Sequence, residues 1–388
     1  MAGIYIHIPF CRSRCIYCDF YSTTSLELRQ RYVEAVGREI ESRGKWREER
    51  GERIDLSAEG INTIYLGGGT PSQLTMDQLR QLFIYINKVY PLTSPLSSLT
   101  PEITIEANPD DVTPAFAEGL RTLPVNRVSM GAQTFSDERL KFLHRRHTAG
   151  QVSTAVERLR AAGIMNISVD LMYGFPGETL EDWESDIQQA LALCVEHLSA
   201  YCLMIEEGTP LHQLRIKNPQ LRDAFPSEET EREMYETLIN RLEAAGYEHY
   251  EISNFAKPGF RSRHNSSYWD GTPYIGIGAA AHSYDGRTRS WNVSDLREYI
   301  EGMERGERRF EEEAIDEDTR YNDLVTTALR TREGLNLDKL SEKHRNYCIK
   351  NARRFADDGL VKINGSYVAL TRRGLFVSDM IMSELMFV

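Results

Sequence analysis

The sequence predicts an α/β protein. Its main body is an open, partial (β/α)6 barrel, followed by a small C-terminal helical, winged-helix-like domain. Three observations predict this. Short apolar strand patterns alternate with helical patterns six times between Ile4 and Leu203. Six units are too few to close an eight-stranded barrel. From about Asp316 the character changes to helical patterns that end in an Asn-Gly hairpin signal, Asn364-Gly365.

The elements follow in order. Ile4, Ile6 and Ile8 alternate with Tyr5 and His7, a strand stopped by Pro9. Leu28, Tyr32, Val33, Val36 and Ile40 share one face of a helix over Leu26–Arg43. The charged stretch 45–53 reads as a solvated helix end. A strand at Asn62–Leu66 runs into Gly67-Gly68-Gly69-Thr70-Pro71-Ser72, and a helix covers Thr75–Tyr90. Residues 91–101, rich in Pro and Ser, read as a loop. Further strands are expected at Glu102–Glu106, Val125–Met130, Asn166–Met172 and His197–Leu203. Helices between them are expected at Pro114–Leu120, Gln151–Ala162 and Leu180–Leu193. A long amphipathic helix, Glu228–Gly246, precedes a Gly- and Tyr-rich stretch of short strands and loops. Helices at Thr319–Thr331, Leu337–His344 and Cys348–Asp358 then lead to the hairpin. The expected division is a barrel over 1–225, an α/β extension over 226–315 and the C-terminal domain over 316–388.

Composition bounds the function. Hydrophobic residues make up 41% and charged residues 27% of 388, as in an ordinary globular chain. No apolar run reaches the ~18–20 residues of a membrane span, which leaves only peripheral membrane contact open. Net charge is −12, a poor basis for binding nucleic acid, so no nucleic-acid partner is expected. The start shows no basic region followed by an apolar stretch, and a cytoplasmic location is expected.

Half of the six cysteines fall in one short stretch: Cys11, Cys15 and Cys18. In a reducing compartment a disulfide is the weaker reading. A thioredoxin-like reading of Cys15-Ile16-Tyr17-Cys18 leaves Cys11 unused. Zinc with His7 as fourth ligand is one alternative. An iron–sulfur cluster is the reading these closely spaced thiolates favour, and three thiolates leave one coordination position for another ligand.

The spacing Cys-x3-Cys-x2-Cys resembles the signature of the radical S-adenosylmethionine (SAM) enzymes. The resemblance implies a 4Fe–4S cluster held by Cys11, Cys15 and Cys18, with SAM on the fourth iron. It supports the same (β/α)6 shape. It further implies that Gly67, Gly68, Gly69 and Thr70 form a loop at the SAM amino group and that Glu106 pairs with its ammonium. By itself a glycine run is more often a tight turn, and a strand-end Glu is usually exposed. Gln133 and Asp170 match residues that contact the ribose. Asp170 lies in an otherwise apolar strand, where a carboxylate needs a partner. Arg145 fits a position near the SAM carboxylate.

Tyr5-Ile6-His7-Ile8-Pro9-Phe10-Cys11, the glycine loop, the Gln133 and Asp170 segments and the C-terminal part together look like the oxygen-independent coproporphyrinogen III oxidase group. Tyr5 enters the expected cofactor-binding set through this match. One branch, the decarboxylases, carries a fourth cysteine two residues after the third, and an N-terminal extension. Here Phe20 stands at that position, and a first strand from residue 3 leaves the extension absent. Both departures imply the heme-chaperone branch, which hands heme to acceptor proteins; decarboxylation is not expected. His264-Asn265-Ser266-Ser267-Tyr268-Trp269 resembles a His-Asn-x-x-Tyr-Trp motif of that branch. His264 is then the first candidate heme ligand, with Tyr268 and Trp269 as stacking surface. The alternative is that His264 and Asn265 organise a turn while Tyr268 and Trp269 enter the core. His282 is a second candidate.

Overall fold

A computed structural model describes residues 3–50, 61–92 and 100–388. The side chains of the charged stretch 45–53, and residues 93–99 of the expected loop, lie outside this description.

Six strands lie side by side in sequence order and all parallel: β1 (Gly3–Ile8), β2 (Thr63–Gly68), β3 (Glu102–Ala107), β4 (Arg127–Gln133), β5 (Asn166–Tyr173) and β6 (His197–Cys202). Parallel neighbours need crossovers, and helices supply them. The helices start where the chemistry says they should. Thr75 caps the helix Met76–Val89, and Gln78 closes the capping box. Thr113 caps Pro114–Leu120 with Pro at the first turn, and Thr179 caps Leu180–Ala192.

The sheet is larger than the alternation implied. Six shorter strands extend it at both sides: β7 (Glu248–Glu251), β8 (Asn254–Ala256), β9 (Tyr274–Ile277), β10 (His282–Tyr284), β11 (Thr288–Asn292) and β12 (Phe310–Ala314). The order is β12-β11-β10-β9-β1-β2-β3-β4-β5-β6-β8-β7. Strands of three to five residues among glycines carry almost no periodicity, which is why they are faint in the sequence. The stretch 226–315 therefore adds edges to the barrel sheet and shares its core, through Leu238, Phe255, Ile277 and Tyr299.

Glu39, fully buried on the helix Arg29–Arg50, ties this extension down. It accepts hydrogen bonds from Gly278 N at 2.9 Å, Asn292 Nδ2 at 2.9 Å and Tyr299 Oη at 2.7 Å. Arg308 lies 3.3 Å and Arg43 3.6 Å away.

A second core gathers Tyr321, Val325, Leu335, Cys348, Phe355, Val368, Ile381 and Leu385. Its sheet has the order β13 (Leu335–Asn336), β15 (Tyr367–Leu370), β14 (Val361–Asn364). The two helices expected over 337–358 are one, Glu342–Asp357, because Ser341 caps a fresh start by accepting from His344 N. The hairpin forms, one residue out of the expected phase. Asn364 pairs with Tyr367, so Gly365 (φ 57°) and Ser366 are the central pair. Glycine at the first central position with positive φ is the type II′ arrangement.

Candidate functional site

The site is a cavity of about 530 Å³ at the C-terminal ends of β1–β6. Parallel barrels build sites there because every strand's following loop opens onto that end. Ten of the thirteen expected site residues line it: Cys11, Cys15, Cys18, Gly68, Gly69, Thr70, Glu106, Gln133, Arg145 and Asp170.

The cysteine loop follows β1. Its root is pinned by Cys11 N to Thr23 O at 2.8 Å and Thr23 N to Pro9 O at 2.7 Å. Ile16 anchors its middle, buried with Leu143, Phe175 and Leu211, and bonded by backbone to Leu143 and Leu211. The three cysteines are unpaired and half-buried. Burial raises the Cys11 thiol above its ordinary range and pushes Cys18 up to about 11. They face one cavity without converging on a point as ligands of a single ion do. His7 does not serve as a fourth ligand here. Its Nδ1 meets Tyr5 Oη at 3.0 Å and its Nε2 meets Tyr21 O at 2.9 Å. Three soft thiolates spread over one wall suit a multi-iron cluster better than zinc. Arg145 Nη1 stands 3.6 Å from Cys15 Sγ, and its Nη2 donates to Asn108 Oδ1 at 2.7 Å. That places a fixed cation beside Cys15.

The glycine loop has a structural task beside its place in the cavity wall. A side chain at Gly69 would strike the Pro9 backbone at 2.7 Å, and one at Gly68 (φ 109°) would strike the His7 ring at 2.4 Å. Gly69 N donates to Ile8 O at 2.9 Å and Thr70 N to Phe10 O at 2.8 Å. The glycines let β2's end press against the root of the cysteine loop. Thr70 Oγ1 then sits 3.5 Å from Cys11 Sγ. Gly67 lies behind Glu106 and does not line the cavity.

Glu106 accepts from Tyr65 Oη at 2.8 Å and Gly68 N at 3.1 Å. Burial, opposed by the Tyr65 hydrogen bond, pushes its carboxyl up to about 7. Asp170 faces Ser129 Oγ at 3.4 Å, and its carboxyl is raised chiefly by burial and lowered by a Ser199 hydrogen bond. Gln133 closes β4 with φ 68°, next to a bulge between Gly131 and Gln133. Bulges re-aim side chains, and this one turns Gln133 into the cavity wall.

Tyr5 and His264 stand elsewhere. Tyr5 packs beside Tyr65 and His264, whose rings lie 6.2 Å and 6.4 Å from its own and 5.1 Å from each other. His264 is 1% exposed, and both ring nitrogens are taken: Nδ1 by Thr63 Oγ1 at 2.8 Å and Nε2 by Tyr268 Oη at 2.9 Å. It offers no nitrogen to a heme iron in this arrangement. The helix Arg263–Trp269, whose first N–H groups meet Glu102, packs at the N-terminal ends of β1, β2 and β3. Its Asn265 reaches the cavity, while Trp269 borders a second cavity of about 280 Å³ against the C-terminal domain.

Sequence reasoning missed Arg127, Ser129, Asn108, Ser199 and Asn265 as cavity-wall residues. A signal existed for two of them. Arg127, Ser129, Gly131 and Gln133 alternate with the apolar Val128, Met130 and Ala132, the period of a strand whose inner face is polar. Arg127 is 1% exposed, and its Nε and Nη1 have no hydrogen-bond partner. Its charge lowers both the Glu106 and Asp170 carboxyls.

Comparison with known proteins agrees with this geometry. The family profile described as "Radical SAM superfamily" matches residues 5–190, and "HemN C-terminal domain" matches residues 315–377. A Bacillus subtilis protein named heme chaperone HemW is 36% identical, over 98% of this chain and 97% of its own length. A Mycobacterium tuberculosis protein of the same name is 34% identical over 99% and 94%. The solved structure of coproporphyrinogen III oxidase (HemN) from Escherichia coli superposes with a TM-score of 0.81 at 22% identity, covering 99% of this chain and 90% of that one. That likeness shows the fold.

Proposed function

The chain belongs to the HemW family of the radical SAM superfamily, and from that premise we propose that it binds heme and delivers it to acceptor proteins. The observation that carries this reading is the near full-length similarity to proteins named heme chaperone. Cys11, Cys15 and Cys18 would hold a 4Fe–4S cluster. Arg145 and Asn108 would meet the polar end of SAM, Glu106 its ammonium, and Gln133 and Asp170 its ribose. When bound, the cluster and SAM supply one-electron chemistry. Arg145 offsets negative charge at that wall, and Tyr65 and Gly68 fix the Glu106 carboxyl in place.

Phe20 stands where the decarboxylating branch has its fourth cysteine, and it speaks against that activity. Among the described residues no helix is long and apolar enough to cross a membrane. One anaerobically reconstituted sample tests the reading. It should bind about one hemin and leave coproporphyrinogen III unconsumed. Conversion to protoporphyrinogen IX with SAM consumed in proportion would return the chain to the decarboxylases.

A further inference from the structure

Resting on that heme reading, we propose that heme docks on the β9–β11 face of the sheet, with His282 as the iron ligand and Trp291 beside it. The nine histidines of the chain sort by what holds them. His7, His147, His197, His249, His264 and His344 each have a ring nitrogen hydrogen-bonded within the protein. His212 is half-buried on the helix Pro210–Lys217. Two are exposed, His144 and His282. His144 lies in the wall of the cofactor cavity, next to Arg145 and Arg146. His282 lies outside it, on β10.

Strand register defines the surface around His282. Trp291 is its direct cross-strand partner, and the two rings lie 5.8 Å apart at 24°. Tyr284, two residues along, points to the same face and pairs with Tyr274. The Tyr274 and Tyr284 rings are 6.4 Å apart, and Tyr268 stands edge-on to Tyr274 at 4.7 Å. All four aromatic residues are half-buried. This is a strip of aromatic surface around one accessible imidazole, on the face of the sheet that also carries Tyr5.

The chemistry fits a porphyrin. An imidazole binds heme iron through a neutral nitrogen, with its ring perpendicular to the macrocycle. Burial and the nearby Arg289 hold the His282 imidazole below its usual pKa, so it stands neutral at pH 7. Trp291, nearly parallel to the imidazole, restricts its rotation. The macrocycle then rests on the edges of both rings, and edge contact with an aromatic face is favourable. Charge on this face is mixed. Glu311 and Glu313 flank the strip on β12, but Arg289 pairs with Glu313 at 3.0 Å and Asp323 at 2.6 Å. Arg320 is exposed and close enough to Tyr284 to offset electrostatically part of the rise that burial gives its hydroxyl. Its guanidinium has no ion pair among the described residues and suits a propionate. A single protein ligand on an open face also suits release, which a buried pocket would resist.

Hemin titrated into the full chain tests the assignment through the Soret band. His282→Ala should weaken binding by at least about tenfold, and added imidazole should restore the parent spectrum. His282→Tyr should retain heme with a phenolate-type spectrum. His212→Ala, on the helix Pro210–Lys217 and outside the cofactor cavity, should bind as the parent does. The His282 side chain is exposed, so the fold does not depend on it. Parent-like affinity and spectrum in both His282 variants would overturn this assignment and leave the heme reading standing. A parent chain that binds no heme would overturn the heme reading and this inference with it.

Discussion

Thr63 Oγ1 and His264 Nδ1 stand 2.8 Å apart inside the barrel, joining the second strand to a helix two hundred residues later. On its other side the same ring meets Tyr268 Oη at 2.9 Å. Gly3 is required beside them, because a side chain there would strike Thr63 Oγ1 at 2.6 Å and the His264 ring at 3.1 Å. His264 thus serves as a polar rivet between β1, β2 and the helix Arg263–Trp269. His264→Ala should lower unfolding free energy by about 2–4 kcal/mol, through a cavity and two unpaired partners. Denaturant titration measures it, and an unchanged midpoint would remove the rivet role.

The same ring gives a pH signature. Burial first, then the Arg127 charge, pulls the His264 pKa down to about 3. The unfolded chain takes up that proton near pH ~6.5. Between these values the unfolded state binds more protons, so the contribution is whole above pH ~6.5 and is lost as pH falls toward 3. The stability advantage of the parent over His264→Gln should therefore shrink steadily below pH ~6.5.

Glu106 titrates in the opposite setting. Its carboxyl sits at about 7, raised chiefly by burial. Below that pH it is neutral and loses its attraction for an ammonium. Affinity for SAM should rise as pH increases from 6 to 8 and flatten in Glu106→Gln. Tyr65→Phe removes a hydrogen bond that lowers the carboxyl, so the midpoint should move upward. A pH-independent affinity in the parent would exclude Glu106 from the ammonium site.

Reconstitution separates the cysteines. Replacing Cys11, Cys15 or Cys18 with Ala should each abolish a cluster of about four irons and four sulfides. Replacing Cys194 or Cys348 should leave it intact, since neither faces the cavity. Cys202 does line the cavity, yet burial first and then Glu231 push its thiol up to about 12, so Cys202→Ser should also retain the cluster. Zinc retention with no iron bound would overturn the cluster.

Glu39 tests the joint between barrel and extension. Glu39→Ala leaves Gly278 N and Tyr299 Oη without their acceptor, leaves Asn292 Nδ2 with Gly278 O alone, and strands Arg308 in a partly buried setting. The loss should be about 3–5 kcal/mol, read by thermal or denaturant unfolding. An effect below about 1 kcal/mol would mean that water satisfies these groups.

The sequence by itself determined the parts whose signal is local. Isoleucine alternation placed β1, helical periodicity placed the crossover helices, and Cys-x3-Cys-x2-Cys marked the cysteine loop. Each depends on neighbours within about ten residues. Tertiary structure decided what depends on meetings between distant segments. The glycine loop also seats the root of the cysteine loop, because β1 and β2 are adjacent. The polarity of Arg127 and Ser129 became a cavity wall only when β3, β4 and β5 brought Glu106 and Asp170 beside them. The most informative case is His264 against His282. Both are single histidines in Gly- and Tyr-rich sequence, and composition ranks them alike. Folding closes one between Thr63 and Tyr268 and leaves the other open beside Trp291. Burial and hydrogen-bond satisfaction are properties of a site in three dimensions, and no window of sequence contains them.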